Sequence, residues 1–227
     1  MAERRQIAFA FPHTPLLTEA DFLPSPANRQ ALDFLAHTAG WPQRRLALWG
    51  ASGAGKTHLL HIWARNHGAQ IIPGPALSHP AWPESPIALD DADQVPSEPA
   101  LLHLLNATAE AGYPLLITSA IPPGRIRAAL PDLASRLRAT TAVEIGPADE
   151  AFLASLLARL LAERQLPVAA ALQAWLLTRL PRTPGAIQEA VARLDRAALA
   201  AGSGVTRPLA AQALADLFHD DLVTRPA

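Results

Sequence analysis

A glycine-rich segment of eight residues constrains the fold of this chain more than any other feature of its sequence. The segment consists of Gly50, Ala51, Ser52, Gly53, Ala54, Gly55, Lys56 and Thr57, and it matches G-x-x-x-x-G-K-[ST] in full. In such a loop the backbone N–H groups surround a phosphate at the positive end of the following helix. A buried strand is predicted at 46–49 and a helix at 56–66, which is the setting that the motif requires. We therefore predict an α/β P-loop protein and consider a chance glycine-rich turn the poorer interpretation.

Two side chains of this loop are expected to contact a bound nucleotide. The Lys56 ammonium would reach the β- and γ-phosphates, and the Thr57 hydroxyl would ligate Mg²⁺. Of the 19 basic residues 18 are arginine, so Lys56 is the only lysine. A compact ammonium can enter a tight anion loop where a planar guanidinium cannot. His58 adjoins the motif and is included among the predicted cofactor-binding residues, although His58 and His61 at this spacing more often pack or face solvent.

Two aspartates, Asp90 and Asp91, follow a second short apolar run at 87–89, which is typical of a strand. A P-loop requires such an acidic element at the end of a neighbouring strand. Asp90 would hold Mg²⁺ directly or through water, and Asp91 would orient or deprotonate the attacking water. The alternative is a turn or helix-capping pair, which is the weaker interpretation beside a P-loop.

The chain is predicted to consist of an arm, an α/β domain and a helical domain. Residues 1–24 form an irregular arm, and Ser25-Pro26 indicates that a helix begins at Pro26 and runs to about His37. Within residues 25–147 short apolar strands alternate with helices, which is typical of a parallel sheet flanked by helices. From 148 to 227 the pattern is helical only, which predicts a small all-α lid domain.

Composition excludes several classes of protein. The chain has no cysteine, so disulfides and thiolate metal sites are excluded. Its N-terminal apolar stretch is short and ends at Pro12, and charged residues or proline interrupt every later one. We therefore expect a cytoplasmic protein without a membrane partner. The net charge of −1 lacks the basic footprint of a dedicated DNA-binding domain, so any contact with DNA is expected to be indirect.

Four segments together carry a family resemblance: WGASGAGKTHLLH at 49–61, IALDDADQV at 87–95, PLLITSAIPP at 114–123 and LPDLASRL at 130–137. In this order they resemble the AAA+ domain of the DnaA/Hda family of bacterial replication proteins, and they are closer to the shorter Hda branch than to the initiator. The resemblance extends over essentially the whole chain. It implies an AAA+ nucleotide-binding domain followed by a helical lid, with ATP or ADP and Mg²⁺ as cofactors.

The resemblance also implies roles for residues outside the P-loop. Thr118 and Ser119 fall in the sensor I region, where a polar group contacts the γ-phosphate or the water. The initiator usually has an acidic residue where this chain has Ala120. Arg136 falls at the arginine-finger position, from which it would stabilise charge on the γ-phosphate of a neighbouring subunit. Arg182 falls at the sensor II position and would contact the β- or γ-phosphate. Without the resemblance, Arg136 would be interpreted as a surface arginine on an amphipathic helix, and for Arg182 the alternative is an ordinary arginine at the start of a helix.

The arm contains a short candidate binding segment, in which Gln6 is followed by Ile7, Phe9 and Phe11. It resembles the sliding-clamp-binding peptide of Hda proteins. An extended segment would place Phe9 and Phe11 on one side for a hydrophobic groove, and Gln6 would fix the register through its amide. The alternative is an edge strand that packs both phenylalanines onto the protein's own core.

Three functions remain open. The resemblance favours a negative regulator of replication initiation that binds the sliding clamp, the β subunit of DNA polymerase III, and stimulates ATP hydrolysis by DnaA through Arg136. The second is an independent DnaA-type ATPase or loader, and the third is a nucleotide-dependent assembly module without catalysis. Clamp binding separates the first from the others, and turnover separates the second from the third. Because a finger that acts in trans requires contact between subunits, we also expect a homo-oligomer, in the form of a dimer.

Overall fold

The computed structural model describes residues 17, 19, 22–80 and 82–218 of the 227-residue chain. The candidate clamp-binding residues Gln6, Ile7, Phe9 and Phe11 lie outside the described residues. The described part divides into two compact units, of which the first ends at Pro147 and the second begins at Ala148.

The first unit is built on a five-stranded sheet in which every neighbouring pair is parallel. Its strands are β1 (Arg45–Trp49), β2 (Gln70–Pro73), β3 (Ile87–Asp90), β4 (Leu115–Ser119) and β5 (Thr141–Glu144). They lie in the order β2-β3-β4-β1-β5. β1 is an inner strand, between β4 and β5, and the loop that follows it lies at the carboxyl edge of the sheet. The prediction of an α/β fold with a parallel sheet flanked by helices is confirmed.

Helices cover both faces of this sheet. They are α1 (Arg29–Ala36), α2 (Lys56–His67), α3 (Glu98–Ala111) and α4 (Pro131–Arg138). On one face, Leu46 and Leu48 of β1 share a core cluster with α1 and α2. On the other face, Ala47 belongs to a cluster that includes Leu104 of α3 and Leu133 of α4. Successive side chains of a strand point to opposite faces, so β1 contributes to both core layers and holds the following loop rigidly.

The start of α1 differs from the prediction. A helix was expected from Pro26 with Ser25 as its cap, but residues 26–28 form a turn and α1 begins at Arg29 after Asn28. The Asn28 side chain explains the difference, because it accepts a hydrogen bond from the Ser25 N–H at 2.8 Å and donates one to the Leu23 carbonyl at 3.1 Å. These bonds stabilise a turn ahead of the helix. Asn28 is buried, and asparagine side chains form such local hydrogen bonds in preference to a position inside a helix.

The second unit consists, in its described part, of four α-helices. They are α5 (Glu150–Glu163), α6 (Ala170–Leu177), α7 (Pro184–Ala201) and α8 (Arg207–Ala213). Side chains of Asp149, Thr183 and Thr206 accept hydrogen bonds from the first turns of α5, α7 and α8, so the capping predicted at the two threonines is confirmed. α7 contacts both α5 and α8, and each of the four helices contributes buried apolar side chains, including Leu157, Leu176, Leu194 and Ala210.

No helix among the described residues combines the length and the apolar character that a membrane crossing requires.

Candidate functional site

The P-loop joins the end of β1 to the start of α2. Gly55 is the residue directly before α2, and its backbone is left-handed, with φ 98° and ψ 10°. A side chain would strain this conformation, whereas glycine adopts it freely. The loop can therefore turn sharply and present its N–H groups at the N-terminus of a helix of 12 residues. Such an arrangement favours a phosphate group on both geometric and electrostatic grounds.

The Lys56 ammonium is enclosed by this loop. The residue is only 7% exposed, and Nζ donates hydrogen bonds to the carbonyl oxygens of Gly50 at 2.8 Å and Ala51 at 2.9 Å. These two bonds compensate for the burial of the charge, and an ammonium has one further N–H to donate. The charge therefore lies within the loop, where an anion held by the backbone N–H groups would meet it.

Asp90, at the end of β3, connects the P-loop helix to β4. One of its carboxylate oxygens, Oδ1, accepts hydrogen bonds from the hydroxyl of Thr57 at 3.2 Å and from the hydroxyl of Thr118. The Thr118 hydroxyl in turn accepts a hydrogen bond from the Asp91 N–H at 2.9 Å. Carboxylate and hydroxyl oxygens are the hard ligands that Mg²⁺ prefers, and it usually takes one or two protein groups together with phosphates. Thr57 and Asp90 therefore fit the predicted magnesium site.

Asp91 adopts a strained backbone conformation, with φ 55° and ψ 56°. The left-handed region costs a non-glycine residue about 1 kcal/mol, and here it turns the chain away from the sheet directly after β3. Gly74, after β2, permits this turn, because a Cβ atom at Gly74 would lie 2.1 Å from the Asp91 carbonyl oxygen. The side chain of Asp91 is thereby placed at the carboxyl edge of the sheet, close to Asp90.

Charge around Asp91 favours its protonated form. Partial desolvation raises the pKa of the Asp91 carboxyl group, the negative charges of Asp90 and Asp93 raise it further, and Lys56 opposes them. The residue nevertheless remains largely exposed. A raised pKa makes a carboxylate a better proton acceptor, and such a shift beside a phosphate-binding loop marks Asp91 as a candidate for an acid–base role.

The two hydroxyls predicted at the sensor I region point to different partners. Thr118 contacts Asp90, as described above, whereas the Ser119 hydroxyl donates to the backbone carbonyl of Ile121 at 2.6 Å. Ala120 follows, and its N–H donates to Oδ1 of Asp93 at 3.1 Å. The structure therefore brings Thr118 to the acidic pair and directs Ser119 into the loop that follows β4.

Arg136 lies on α4, where its side chain is 38% exposed and forms an ion pair with Asp132 at 3.6 Å. Its Nε atom is buried and has no hydrogen-bond partner within the part of the chain that the structure describes. Thr140 accepts a long bond of 3.4 Å from Arg45 and donates to the Arg136 carbonyl at 2.9 Å. Arg45 is 2% exposed, and burial and the nearby charge of Arg136 both lower its pKa.

His58 and Arg182, which were also predicted to bind the nucleotide, have surroundings that differ from each other. His58, on the first turn of α2, is half-buried and meets the Phe22 ring edge-on, with ring centroids 5.2 Å apart. Arg182 belongs to the second unit, where it is exposed and directly precedes Thr183, the cap of α7.

Asp93, Gly74 and Glu98 were missed by the sequence reasoning. Asp93 could have been suspected, because it continues the acidic run after β3. Gly74 and Glu98 carry no local signal. Glu98 accepts hydrogen bonds from the N–H groups of Ala129 at 2.8 Å and Leu130 at 2.9 Å, more than 30 residues away along the chain.

A parallel sheet with a P-loop after an inner strand and an acidic pair at the same edge defines a P-loop domain of the AAA+ fold. Solved structures show the same architecture. Domain III of the Thermotoga maritima replication initiation protein DnaA is similar with a TM-score of 0.73 and 17% identity, over 92% of this chain and 100% of that one.

Further structures extend the comparison. AMPPCP-bound DnaA from Aquifex aeolicus has a TM-score of 0.61 and 15% identity, over 75% of this chain and 62% of that one. The Thermotoga maritima RuvB Holliday junction branch migration motor has a TM-score of 0.58 and 17% identity, over 76% and 61% respectively. No protein-family model and no curated protein matches the sequence. At these identities the likeness establishes the fold.

Proposed function

We propose that this chain binds an adenine nucleotide, ATP or ADP, together with Mg²⁺ at the P-loop. The observation that carries the proposal is the buried Lys56 ammonium, held by two loop carbonyls at the N-terminus of α2. The proposal is supported by two oxygen ligands beside Lys56, the Thr57 hydroxyl and the Asp90 carboxylate, whose Oγ1 and Oδ1 atoms are 3.2 Å apart. A DnaA structure of the same fold carries AMPPCP.

Each residue of the site has a defined task in this proposal. The loop N–H groups and Lys56 bind the β- and γ-phosphates. Thr57 and Asp90 hold Mg²⁺, which supplies positive charge to the phosphate oxygens when bound. Asp91 and Thr118 orient a water molecule toward the γ-phosphorus. In hydrolysis the water oxygen bonds to phosphorus, the bridging oxygen leaves with ADP, and Asp91 accepts the proton.

Nucleotide binding is tested by replacing the ammonium. We expect Lys56→Ala to weaken the binding of a fluorescent ATP or ADP analogue by at least about tenfold, because a charge-assisted contact to phosphate is lost. Arg65→Ala serves as the matched control, because Arg65 is an exposed cation on the same helix. Equal affinity of wild type and Lys56→Ala would contradict the proposal.

A finer role follows from the similarity to DnaA. We propose a cytoplasmic regulator of the Hda type, which binds the β sliding clamp through Gln6, Ile7, Phe9 and Phe11 and acts on ATP-bound DnaA as a dimer. Arg136 would enter the nucleotide site of the neighbouring AAA+ subunit and stabilise charge on the γ-phosphate. Its partly exposed position on α4 and the like charge of buried Arg45 behind it support this role, because both favour a guanidinium directed outward.

The regulatory role is tested with purified DnaA, clamp and DNA. The wild-type chain is expected to accelerate hydrolysis of DnaA-bound ATP by tenfold or more, and Arg136→Ala is expected to remove the effect. Arg138→Ala is the matched control, because Arg138 is an exposed arginine on the same helix. Gln6→Ala/Phe9→Ala should abolish binding to the isolated clamp. Acceleration that survives Arg136→Ala would refute the finger, and wild type without clamp binding would favour an independent ATPase.

A further inference from the structure

We propose that Asp93 is a positioning residue for ATP hydrolysis at the P-loop site, where its carboxylate holds the end of β4 against the turn after β3. The inference rests on the proposed nucleotide binding and extends it to a residue outside the P-loop and the acidic pair. Asp93 lies in the single helical turn at 92–94, three residues beyond Asp90. It is half-buried, and its two carboxylate oxygens contact the Ala120 N–H at 3.1 Å and the Gln94 side-chain amide at 3.3 Å.

The position of Asp93 matters because the backbone ladder between β3 and β4 stops before the site. The paired residues of these strands run from Ile87 and Leu115 to Leu89 and Ile117. Beyond that point, side chains take over the connection between the strands. Thr118 joins Asp90 and the Asp91 N–H, and Asp93 joins the Ala120 N–H. The Asp93 contact is the outermost of these, so it fixes the segment that carries Thr118 relative to Asp91.

Asp93 also places a carboxylate beside the residue that follows β4. Ala120 contributes only a methyl group and an N–H group at this point. The Asp93 carboxylate lies within hydrogen-bond distance of the backbone of Ala120, so an acidic group is present beside position 120 although it belongs to another element.

Hydrolysis by the site depends on this connection. Asp91 and Thr118 must both face the water that attacks the γ-phosphorus, and Asp91 accepts the proton as the bridging oxygen leaves with ADP. A displacement of about 1 Å in such a group can lower a rate by about a hundredfold. Loss of the Asp93 contact releases the end of β4, so the rate of the chemical step should fall while binding of ADP is retained.

The test compares Asp93→Ala and Asp93→Asn with wild type in the full chain. Asp93→Ala should lower kcat about ten- to a hundredfold with KM for MgATP within about twofold of wild type, since a contact needed only for the reaction is lost. Asp93→Asn keeps an acceptor for the Ala120 N–H and should retain an intermediate kcat.

The split between kcat and nucleotide binding distinguishes positioning from general stability. A purely structural role for Asp93 would lower the melting temperature and leave the kcat of the folded protein unchanged. Glu110→Ala removes an exposed carboxylate from α3 and serves as the charge control. An unchanged kcat in Asp93→Ala, or a wild type that binds MgATP without turning it over, overturns the inference while nucleotide binding stands. If wild type does not bind ADP or ATP, both proposals fail.

Discussion

Lys56 and Arg45 are buried cations of the first unit, and hydrogen bonds compensate for their burial to different degrees. Lys56 donates to two carbonyl oxygens at 2.8 and 2.9 Å. Arg45 makes one long bond of 3.4 Å to Thr140 and lies close to the like charge of Arg136. Burial of a cation costs free energy unless hydrogen bonds or opposite charges compensate for it. Lys56 therefore fits its surroundings, whereas Arg45 is a source of instability.

Lys56→Arg should weaken nucleotide binding although it preserves the charge. The enclosure around Nζ suits a compact ammonium, and a planar guanidinium would have to displace the Gly50 and Ala51 carbonyls. The affinity for a fluorescent nucleotide should fall by at least about tenfold, as in Lys56→Ala. Arg65→Lys, an exchange at an exposed position of the same helix, is the control. Wild-type affinity in Lys56→Arg would show that charge alone decides binding.

Arg45→Met should raise the free energy of unfolding by about 1 kcal/mol, because methionine keeps most of the apolar stem and removes a poorly compensated charge. Urea denaturation of the wild type and the variant measures the change. Arg44→Met is the control, since Arg44 donates to the Gly112 carbonyl at 2.7 Å and its removal should slightly destabilise the fold. Destabilisation by Arg45→Met would mean that an anionic group compensates for the guanidinium.

At the scale of elements, helix α4 depends on a residue of another helix. Its N-terminus has no capping side chain of its own at Leu130. The Glu98 carboxylate, on the first turn of α3, accepts the Ala129 and Leu130 N–H groups that precede α4. A carboxylate at this end of a helix also interacts favourably with the helix dipole. Glu98 therefore ties α3 to the helix that carries Arg136.

This contact predicts a pH dependence of stability. The two backbone hydrogen bonds lower the pKa of Glu98 below its ordinary value of 4.5. The folded carboxylate is favoured, so its contribution is present above the ordinary pKa and is lost as the pH falls through the lower folded value. Between about pH 6 and about pH 3, wild-type stability should therefore fall more steeply than that of Glu98→Gln.

Thermal unfolding across this range measures the difference, with Glu110→Gln as an exposed control on the same helix. Parallel curves for wild type and Glu98→Gln would show that the carboxylate does not stabilise α4.

Features of these elements that depend on neighbouring residues could be predicted from the sequence, whereas contacts between residues far apart in the chain could not. Ser97 and Gly112 mark the two ends of α3 as predicted, because a cap acts on the backbone within a few residues. The P-loop was likewise recognised from a contiguous pattern. The contacts of Asp93 with Ala120 and of Glu98 with Ala129 join residues 27 and 31 positions apart, and no local pattern encodes them. The predicted start of α1 was wrong for a related reason, because the Asn28 side-chain amide forms hydrogen bonds that stabilise a turn where the helix was expected.

At the scale of the whole molecule, nucleotide binding and folding are linked. A ligand that binds only the folded state stabilises it by about 2.7 kcal/mol when its free concentration is about 100 times Kd. MgADP should therefore raise the unfolding midpoint of the wild type more than that of Lys56→Ala at the same concentration, because the variant binds the nucleotide more weakly. Differential scanning fluorimetry over a series of MgADP concentrations measures the shift. A shift of equal size in Lys56→Ala would place the nucleotide at another site.

The enclosure of Lys56 has a practical consequence for labelling chemistry. Apart from the N-terminal amine, Lys56 carries the only primary amine of the chain. Acylating and aldehyde reagents have a single side chain to modify, and its reactivity reports whether the P-loop admits small molecules. Mass spectrometry of the singly modified chain therefore counts occupied sites without mutation, while conventional attachment through surface lysines finds no exposed lysine in this sequence.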